Sequence, residues 1–129
     1  MDKLALDCGI KNVVIFLGFQ ENVGSLLIQA NVFVLPSFSE GSSVSLAEAL
    51  INGLPSIVTD GGGAGEILGN SQSGILINPL NPTSIFDAIN HFLNLSKMEK
   101  VEMGQRAKLE AHRFSVEAYL VNLLAIYKN

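Results

Sequence analysis

The chain has 129 residues, of which 48% are hydrophobic and 16% charged, and a formal net charge of −4. These values describe one globular domain or part of one, and they exclude a disordered chain. The negative net charge and the lack of a Lys/Arg cluster argue against nucleic acid as a partner. The single cysteine, Cys8, cannot form an internal disulfide, and no signal peptide or bilayer-spanning apolar run is present, which favours a cytoplasmic protein.

Apolar runs alternate with helical patterns from the start of the chain. Residues 3–9 are typical of the end of a helix stopped by a glycine, so we expect the chain to begin within a domain. The run Val13–Leu17 predicts a parallel strand buried on both faces. A helix capped by Asn22 follows, to about Ala30, and Val32–Leu35 predicts a second strand.

The middle of the chain continues this alternation. A helix over residues 43–52 is stopped by Asn52-Gly53, and Ser56–Thr59 is the third predicted strand. After a glycine-rich turn and a short helix at about 64–69, Gly74–Ile77 predicts a fourth strand. The pattern therefore predicts an α/β protein with a Rossmann-like parallel sheet of about four strands flanked by helices.

The last third of the chain is predicted to be helical. Helices begin at Pro82, Ser96 and Ser115, the last two residues being cap types. We expect the apolar stripe of the final helix to belong to the core; it consists of Leu120, Leu123, Leu124 and Tyr127.

The glycine- and serine-rich segments all follow predicted strands. Ligands of parallel α/β sheets bind beyond the carboxyl ends of the strands. We therefore expect residues 18–19, 36–43 and 60–63 to share one functional rim.

The segment after the second strand has the features of a phosphate site. A helix that starts near Ser42 directs unpaired backbone N–H groups and a favourable dipole at the rim. Gly41, Ser42 and Ser43 are small enough to admit a phosphate group. The segment has neither the G-K-[ST] of a P-loop nor a GxGxxG fingerprint. A nucleotide diphosphate with further contacts from elsewhere suits this pattern.

Two carboxylates accompany the helix start. Glu40 precedes the helix and Glu48 lies within it, roughly 10 Å away along the axis, which is too far for a shared proton or one metal ion. The spacing suits hydrogen bonds to separate parts of a long ligand. The alternative is that Glu48 is an ordinary surface residue and Glu40 a partner of the helix dipole.

The segment P-S-F-S-E-G-S-S-V-S-L-A-E-A-L-I-N-G-L-P-S-I-V-T-D-G-G-G-A-G-E-I-L resembles the donor-binding region of family 4 (group 1) glycosyltransferases, which have the GT-B fold. The resemblance extends through Gly74–Pro79 and the closing helices to cover essentially the whole chain. The matching positions are Pro36, Ser37, Glu40, Gly41, Glu48, Ala49, Gly53, Pro55, Asp60, Gly62, Gly63 and Glu66.

The resemblance implies a retaining hexosyltransferase that uses a UDP-, GDP- or ADP-sugar and no metal or other cofactor. Glu40 would be catalytic and contact the hydroxyls of the donor sugar. The backbone of Gly41, Ser42, Ser43 and Val44 would bind the diphosphate, and Glu48 the ribose hydroxyls. Phe19 and Gln20 would approach the base.

The resemblance also implies what accompanies this chain. Residues 1–129 would be a partial C-terminal donor-binding domain, without the start of that domain and without the N-terminal acceptor domain. The diphosphate-pairing Arg and Lys of the family have no counterpart here, so we expect weak donor binding and no transfer by the chain alone. The acceptor would be a glycan or lipid-linked, in polysaccharide synthesis, and the N-terminal domain would hold the cytoplasmic enzyme at the inner face of the membrane.

Two other interpretations remain. A non-catalytic nucleotide-sugar-binding or regulatory module would keep the nucleotide site without chemistry. A GT-B-like sugar-phosphate epimerase would share the architecture but not the spacing of Glu40 and Glu48. The small pair Ser42-Ser43, where many family members have a bulkier residue, leaves the identity of the sugar open.

Overall fold

The computed structural model describes residues 1–38, 41, 43–68 and 72–127. The first helices are α1 (Asp2–Asp7) and α2 (Val23–Leu27), followed by strand β1 (Phe33–Leu35) and helix α3 (Val44–Ile51). Strand β2 (Ser56–Thr59), helix α4 (Ala64–Leu68) and strand β3 (Gly74–Ile77) come next. The chain then forms α5 (Thr83–Asn94), α6 (Lys97–Ala111), a 3-10 turn (His112–Phe114) and α7 (Val116–Tyr127).

The three strands form one parallel sheet in the order β1-β2-β3, with Val34 opposite Ile57 and Ile57 opposite Ile75. All four residues of β2 are buried, as expected for a central parallel strand covered on both faces. The predicted class, a parallel α/β sheet that is flanked by helices and followed by helices, is therefore confirmed.

Neighbouring residues of β2 point into two different apolar layers. Val58 packs with residues of α3, α4 and α6, including Leu46 and Leu50. Ile57 packs with Phe92 of α5 on the other face. The sheet is thus the middle of three layers, and α3 is fixed by two fully buried leucines.

The local cap signals also proved correct. The Asn22 side chain accepts a hydrogen bond from Ser25 N–H at 3.1 Å. Ser96 and Glu99 form a reciprocal capping box at the start of α6, and the Ser115 hydroxyl accepts from Ala118 N–H at 3.1 Å. These caps set the helix starts where the sequence indicated them.

One predicted strand is absent from the described sheet, which has three strands and not about four. The run Val13–Leu17 is irregular, and both Val13 and Ile15 are 80% exposed. A strand is stable only where a neighbouring strand accepts and donates its backbone hydrogen bonds. Within the described ranges, no strand pairs with this run.

The placement of the last helix also differs from the prediction. None of the residues of α7 is buried, and Leu120, Leu124 and Tyr127 are 48%, 55% and 81% exposed. The expectation that this stripe belongs to the core is wrong, because α7 follows the 3-10 turn away from the two apolar layers. No helix within the described ranges has the length and apolar character needed to cross a bilayer.

Candidate functional site

The rim at the carboxyl ends of the strands is where the site was predicted. Because β1, β2 and β3 are parallel, the segments after Leu35, Thr59 and Ile77 all leave the sheet at the same edge. The backbone N–H of Asp60 donates to the carbonyl of Ile77 at 2.7 Å, which joins the ends of β2 and β3. The structure thus brings together three of the loops that bound the rim.

The loops after β1 and β2 are held against each other. The buried hydroxyl of Thr59 donates to the backbone carbonyl of Ser37. A methyl group added at Gly61 would lie only 3.0 Å from the carbonyl oxygen of Phe38, so a larger residue would push the loops apart. Gly62 has φ +87°, a conformation that disfavours other residues. Thr59 and Gly61 therefore fix the position of the chain just before the predicted phosphate site.

Neither Thr59 nor Phe38 was predicted from the sequence to be a site residue. Thr59 appeared only as the end of a strand, and its contact with Ser37 joins residues 22 positions apart, which no local pattern reveals. Phe38 is 76% exposed at the rim, although an aromatic side chain would normally be buried. In the sequence, the position of Phe38 two residues before Glu40 is the feature that could have indicated its place at the candidate site.

The start of α3 lies at this rim and is capped by Ser43. Ser43 has extended backbone angles (φ −90°, ψ 99°), and its Oγ accepts a hydrogen bond from Leu46 N–H at 3.2 Å. The Ser43 and Ser45 hydroxyl oxygens lie 3.0 Å apart. Ser43 is only 3% exposed, so its side chain serves the helix, and any contact with a ligand must come from the backbone.

Gly41 borders open space in front of the helix. Apart from its neighbours in the chain, no atom of the described residues lies within 4 Å of the position that a Cβ would occupy there. The space is compatible with an anion approaching the unpaired N–H groups at the start of α3. Glu40 and Ser42 lie outside the described residues, so their predicted roles remain predictions.

Glu48 lies on the outward face of α3, together with Val44, Ser45 and Ile51. The opposite face is buried through Leu46, Ala49 and Leu50. Within the described ranges, the Glu48 carboxylate has no hydrogen-bond or ion-pair partner, and only its backbone carbonyl is used, by the Asn52 side chain at 2.9 Å. The carboxylate is therefore free to accept hydrogen bonds from a ligand that extends along α3 from its N-terminus.

Two other acidic residues, Glu66 and Asp60, lie near the rim. Glu66 lies in the first turn of α4, and its backbone carbonyl accepts from Arg113 Nη1 at 3.3 Å. Asp60 is exposed at the turn after β2. Among the described residues, no group of three or more His, Cys, Asp or Glu is arranged to hold a metal ion.

Phe19 and Gln20 are not brought to the rim by any described contact. Phe19 is 90% exposed, and the Gln20 side chain donates locally to the Leu17 carbonyl at 2.6 Å. These two residues follow the run that does not join the sheet. Their proposed approach to the base of a nucleotide stays a prediction.

A parallel sheet between helix layers, with a capped helix N-terminus and an exposed carboxylate at the edge where such sheets bind ligands, is the architecture of the doubly wound α/β domains. A family model described as "Glycosyl transferases group 1" matches residues 1–110. The chain therefore belongs to the group 1 glycosyltransferases and corresponds to their C-terminal domain.

Two relatives give the extent of the similarity. N-acetyl-alpha-D-glucosaminyl L-malate synthase of Bacillus anthracis is 31% identical over 106 residues, covering 82% of this chain and 28% of the relative. D-inositol 3-phosphate glycosyltransferase of Corynebacterium urealyticum is 28% identical over 131 residues, covering 100% of this chain and 31% of the relative. The chain thus spans less than a third of the length of either protein.

The solved structure of HepE from Anabaena in complex with UDP shares the fold. It superimposes with a TM-score of 0.87 at 21% identity, covering 98% of this chain and 35% of HepE. At that identity the likeness concerns the architecture alone. It confirms that the described sheet and helices have the arrangement found in GT-B glycosyltransferases.

Proposed function

We propose that this chain is the donor-binding region of a retaining family 4 glycosyltransferase that transfers a sugar from a nucleotide diphosphate to an acceptor. The observation that carries the proposal is the position of the start of α3 at the rim, together with the Glu48 carboxylate on the outward face of the same helix. This carboxylate has no hydrogen-bond or ion-pair partner among the residues that the structure describes. The solved structures of HepE in complex with UDP and with UDP-glucose support a uridine nucleotide as the first ligand to test.

The diphosphate would lie at the N-terminus of α3. Unpaired backbone N–H groups and the positive end of the helix dipole stabilise negative charge there, and that charge increases as the sugar leaves the diphosphate. The buried Ser43 hydroxyl already satisfies the N–H of Leu46, so the N–H groups nearer the start of the helix remain for the ligand. This role requires the backbone of residues 41–44 and none of their side chains.

Glu48 would accept hydrogen bonds from the two ribose hydroxyls. A carboxylate has two oxygens that accept neighbouring hydroxyl groups, and charge-assisted hydrogen bonds are stronger than neutral ones. Glu40 would contact the donor sugar on the other side of the diphosphate. The ligand would then run from Glu40 across the helix start to Glu48.

The acceptor would be held by an N-terminal domain, since the family relatives are about three times as long as this chain. The names of those two relatives include malate and inositol 3-phosphate, which are small polar molecules. The name of another relative includes diphospho-undecaprenol, which carries a lipid chain. We propose that the acceptor is a glycan or a lipid-linked molecule. An assay of the full-length protein with lipid-linked or glycan acceptors and with small polar acceptors tests this proposal.

The test of the donor site is a calorimetric or NMR titration of the chain with UDP, GDP and ADP and their sugars. Glu48→Gln is expected to weaken binding of the preferred nucleotide by about tenfold or more, because a charged hydrogen-bond acceptor is lost. Glu66→Gln is the matched control, since Glu66 is another helix glutamate near the rim. Equal affinities for the wild type and Glu48→Gln would contradict the ribose role.

The proposal includes no metal cofactor. We therefore expect EDTA to leave nucleotide binding unchanged. Loss of binding on chelation, restored by a divalent cation, would contradict this part of the proposal. The isolated chain is expected to transfer no sugar, and measurable transfer would contradict the role assigned to an N-terminal domain.

A further inference from the structure

A sizeable cavity lies on the opposite side of the sheet from the rim. It is a groove of about 490 Å³ between α6 and the segments that lead into β1 and β2. Asn31, Asn52 and Gly53 belong to these segments, which enter the strands at their amino ends. Because the strands are parallel, this edge is the far side of the sheet from the candidate donor site.

The charge of this groove is opposite to that of the whole chain. Lys97, Lys100 and Lys108 line it, and none of the residues that line it is acidic. The chain has only eight Lys and Arg residues and a net charge of −4, so three of its eight cations face one cavity. We call this cavity the basic groove.

The helical geometry of α6 explains the concentration of charge. At about 100° per residue, the three lysines fall within an arc of about 80° on one side of the helix. Glu99, Glu102 and Glu110 fall within a similar arc on the other side. Glu99 and Glu102 line a different cavity, together with Gly74 and Ile75 of β3. The two charge signs therefore lie on different sides of α6.

The floor of the groove is a close contact between two glycines. A methyl group at Gly104 would lie 2.6 Å from the carbonyl oxygen of Gly53, so only glycine lets α6 approach this turn. The aliphatic part of Lys108 lies directly over Gly53. The stem of Lys108 is thus held in place, while the residue as a whole is exposed.

The lysine ammonium groups retain donors for a ligand. Lys100 Nζ donates one of its three N–H groups to the Leu93 carbonyl at 3.0 Å. The same ammonium group lies 5.2 Å from the centre of the Phe92 ring. Lys97 and Lys108 have no hydrogen-bond or ion-pair partner within the part of the chain that the structure describes. At least two ammonium groups are therefore unused.

We propose that the basic groove is a second binding site, for a molecule that carries a phosphate or diphosphate group on an apolar or planar body. Three ammonium groups and the side-chain amide of Asn31 supply donors for the phosphate oxygens. The Asn52 amide donates one of its two N–H groups to the Glu48 carbonyl and keeps the other. Exposed apolar residues, among them Ile28 and Val101, supply a surface for the body of the ligand. The volume lies in the range of small-molecule sites, about 300–1,000 Å³.

The alternative is that the lysines only complement the carboxyl ends of helices. Lys108 lies by the end of α3, and Lys100 contacts the end of α5. A cation at a helix C-terminus is favourable. Lys97 does not fit this explanation, because it is the first residue of α6, where the helix dipole disfavours a positive charge.

The experiment is an NMR titration of the 129-residue chain with sodium pyrophosphate, with sodium chloride at matched ionic strength as the reference. The amide signals of Gly53 and Gly104 report on the groove, and that of Gly41 reports on the rim. We expect pyrophosphate to shift the two groove signals saturably. The double substitution Lys97→Gln/Lys108→Gln should weaken this response by about tenfold or more.

The matched control is Lys3→Gln/Lys11→Gln, which removes the same charge from two exposed positions outside the groove. It should leave the response unchanged, and the melting temperature of each variant verifies folding. Groove signals that do not respond, or that respond equally in both double variants, would overturn the proposal. A shift of the Gly41 signal alone would locate the anion at the donor site and also overturn it.

A parallel measurement distinguishes a soluble ligand from a lipid headgroup. The chain is sedimented with vesicles of phosphatidylcholine alone or with phosphatidylglycerol added. Lysine-dependent binding to the anionic vesicles identifies a lipid headgroup as the source of the phosphate. Saturable binding of pyrophosphate without vesicle binding identifies a soluble compound.

Discussion

Ser43 offers the sharpest test of how the candidate donor site is built. Ser43 is only 3% exposed, and its hydroxyl accepts the hydrogen bond from Leu46 N–H at 3.2 Å. Ser43→Ala removes this acceptor and leaves the N–H without a partner in a buried position. Loss of such a cap costs about 1 kcal/mol of unfolding free energy, within about 0.5–2 kcal/mol.

Ser43→Gly makes the test specific for capping. Glycine lets water reach the open end of a helix, and its cost at this position is only a few tenths of a kcal/mol. In the middle of a helix the order would be the reverse, because alanine is the better helix former. A larger loss for alanine than for glycine is therefore a signature of the cap.

The assay is urea unfolding of the chain followed by circular dichroism. With a urea dependence of about 1–3 kcal/mol/M, the loss for Ser43→Ala lowers the midpoint by roughly 0.3–1 M. Ser45→Ala is the control, since it removes only the contact between the two hydroxyls at 3.0 Å. The reasoning fails if glycine costs as much as alanine, or if Ser45→Ala reproduces the whole effect.

Two further predictions concern the core and the start of α6. Leu50→Ala should lower the unfolding free energy by about 2–5 kcal/mol, because Leu50 is 0% exposed, whereas Ile51→Ala, 58% exposed, should change it by less than about 0.5 kcal/mol. Similar urea midpoints for the two variants would contradict the assigned faces of α3. A hydrogen bond from the Ser96 side chain lowers the pKa of Glu99 below its ordinary value of 4.5, and a hydrogen bond from the Ser96 backbone N–H adds a smaller effect in the same direction. A lowered folded-state pKa stabilises the protein above pH 4.5 and loses this effect as the pH falls through the folded-state value. The difference in urea midpoint between the wild type and Glu99→Gln should therefore narrow below pH 4.5, and a difference that is independent of pH would contradict the capping box.

Local patterns were sufficient to predict most of the fold. Ser43 and the pair Asn52-Gly53 bracket α3 in the sequence, and the structure places the helix between them. Ser56–Thr59 was predicted to be a strand, and the structure places β2 at these residues, all four of which are buried. These features depend on a few neighbouring residues, so the sequence reveals them.

The features that were missed depend on distant parts of the chain. The run Val13–Leu17 has the composition of a strand, but strand formation also requires a neighbour with free backbone groups. The basic groove arises because Lys97, Lys100 and Lys108 are spaced along a helix that lies against Gly53. In the linear sequence the lysines are separated by other residues, so no cluster was recognised.

The candidate site was predicted in part. The rim and the position of α3 followed from the parallel order of strands and helices, and Glu48 was correctly placed within this helix. The contact between Thr59 and Ser37, which fixes the loop before α3, joins the end of β2 to the segment after β1 and has no local signal. Pairing of strand ends is set by the sheet as a whole, and one strand alone does not specify it.

The exposure of α7 has a consequence for the dynamics of the chain. Its 12 residues bury no side chain, so opening this helix exposes little additional apolar surface and disturbs neither apolar layer. Amide hydrogens of α7 should therefore exchange with deuterated solvent through local fraying, while those of β2 exchange only when the whole sheet opens. A substitution in the core would accelerate hydrogen exchange in β2 and leave exchange in α7 unchanged. The free energy of opening α7 would thus differ from the free energy of unfolding the sheet, and one unfolding curve would report only one of the two.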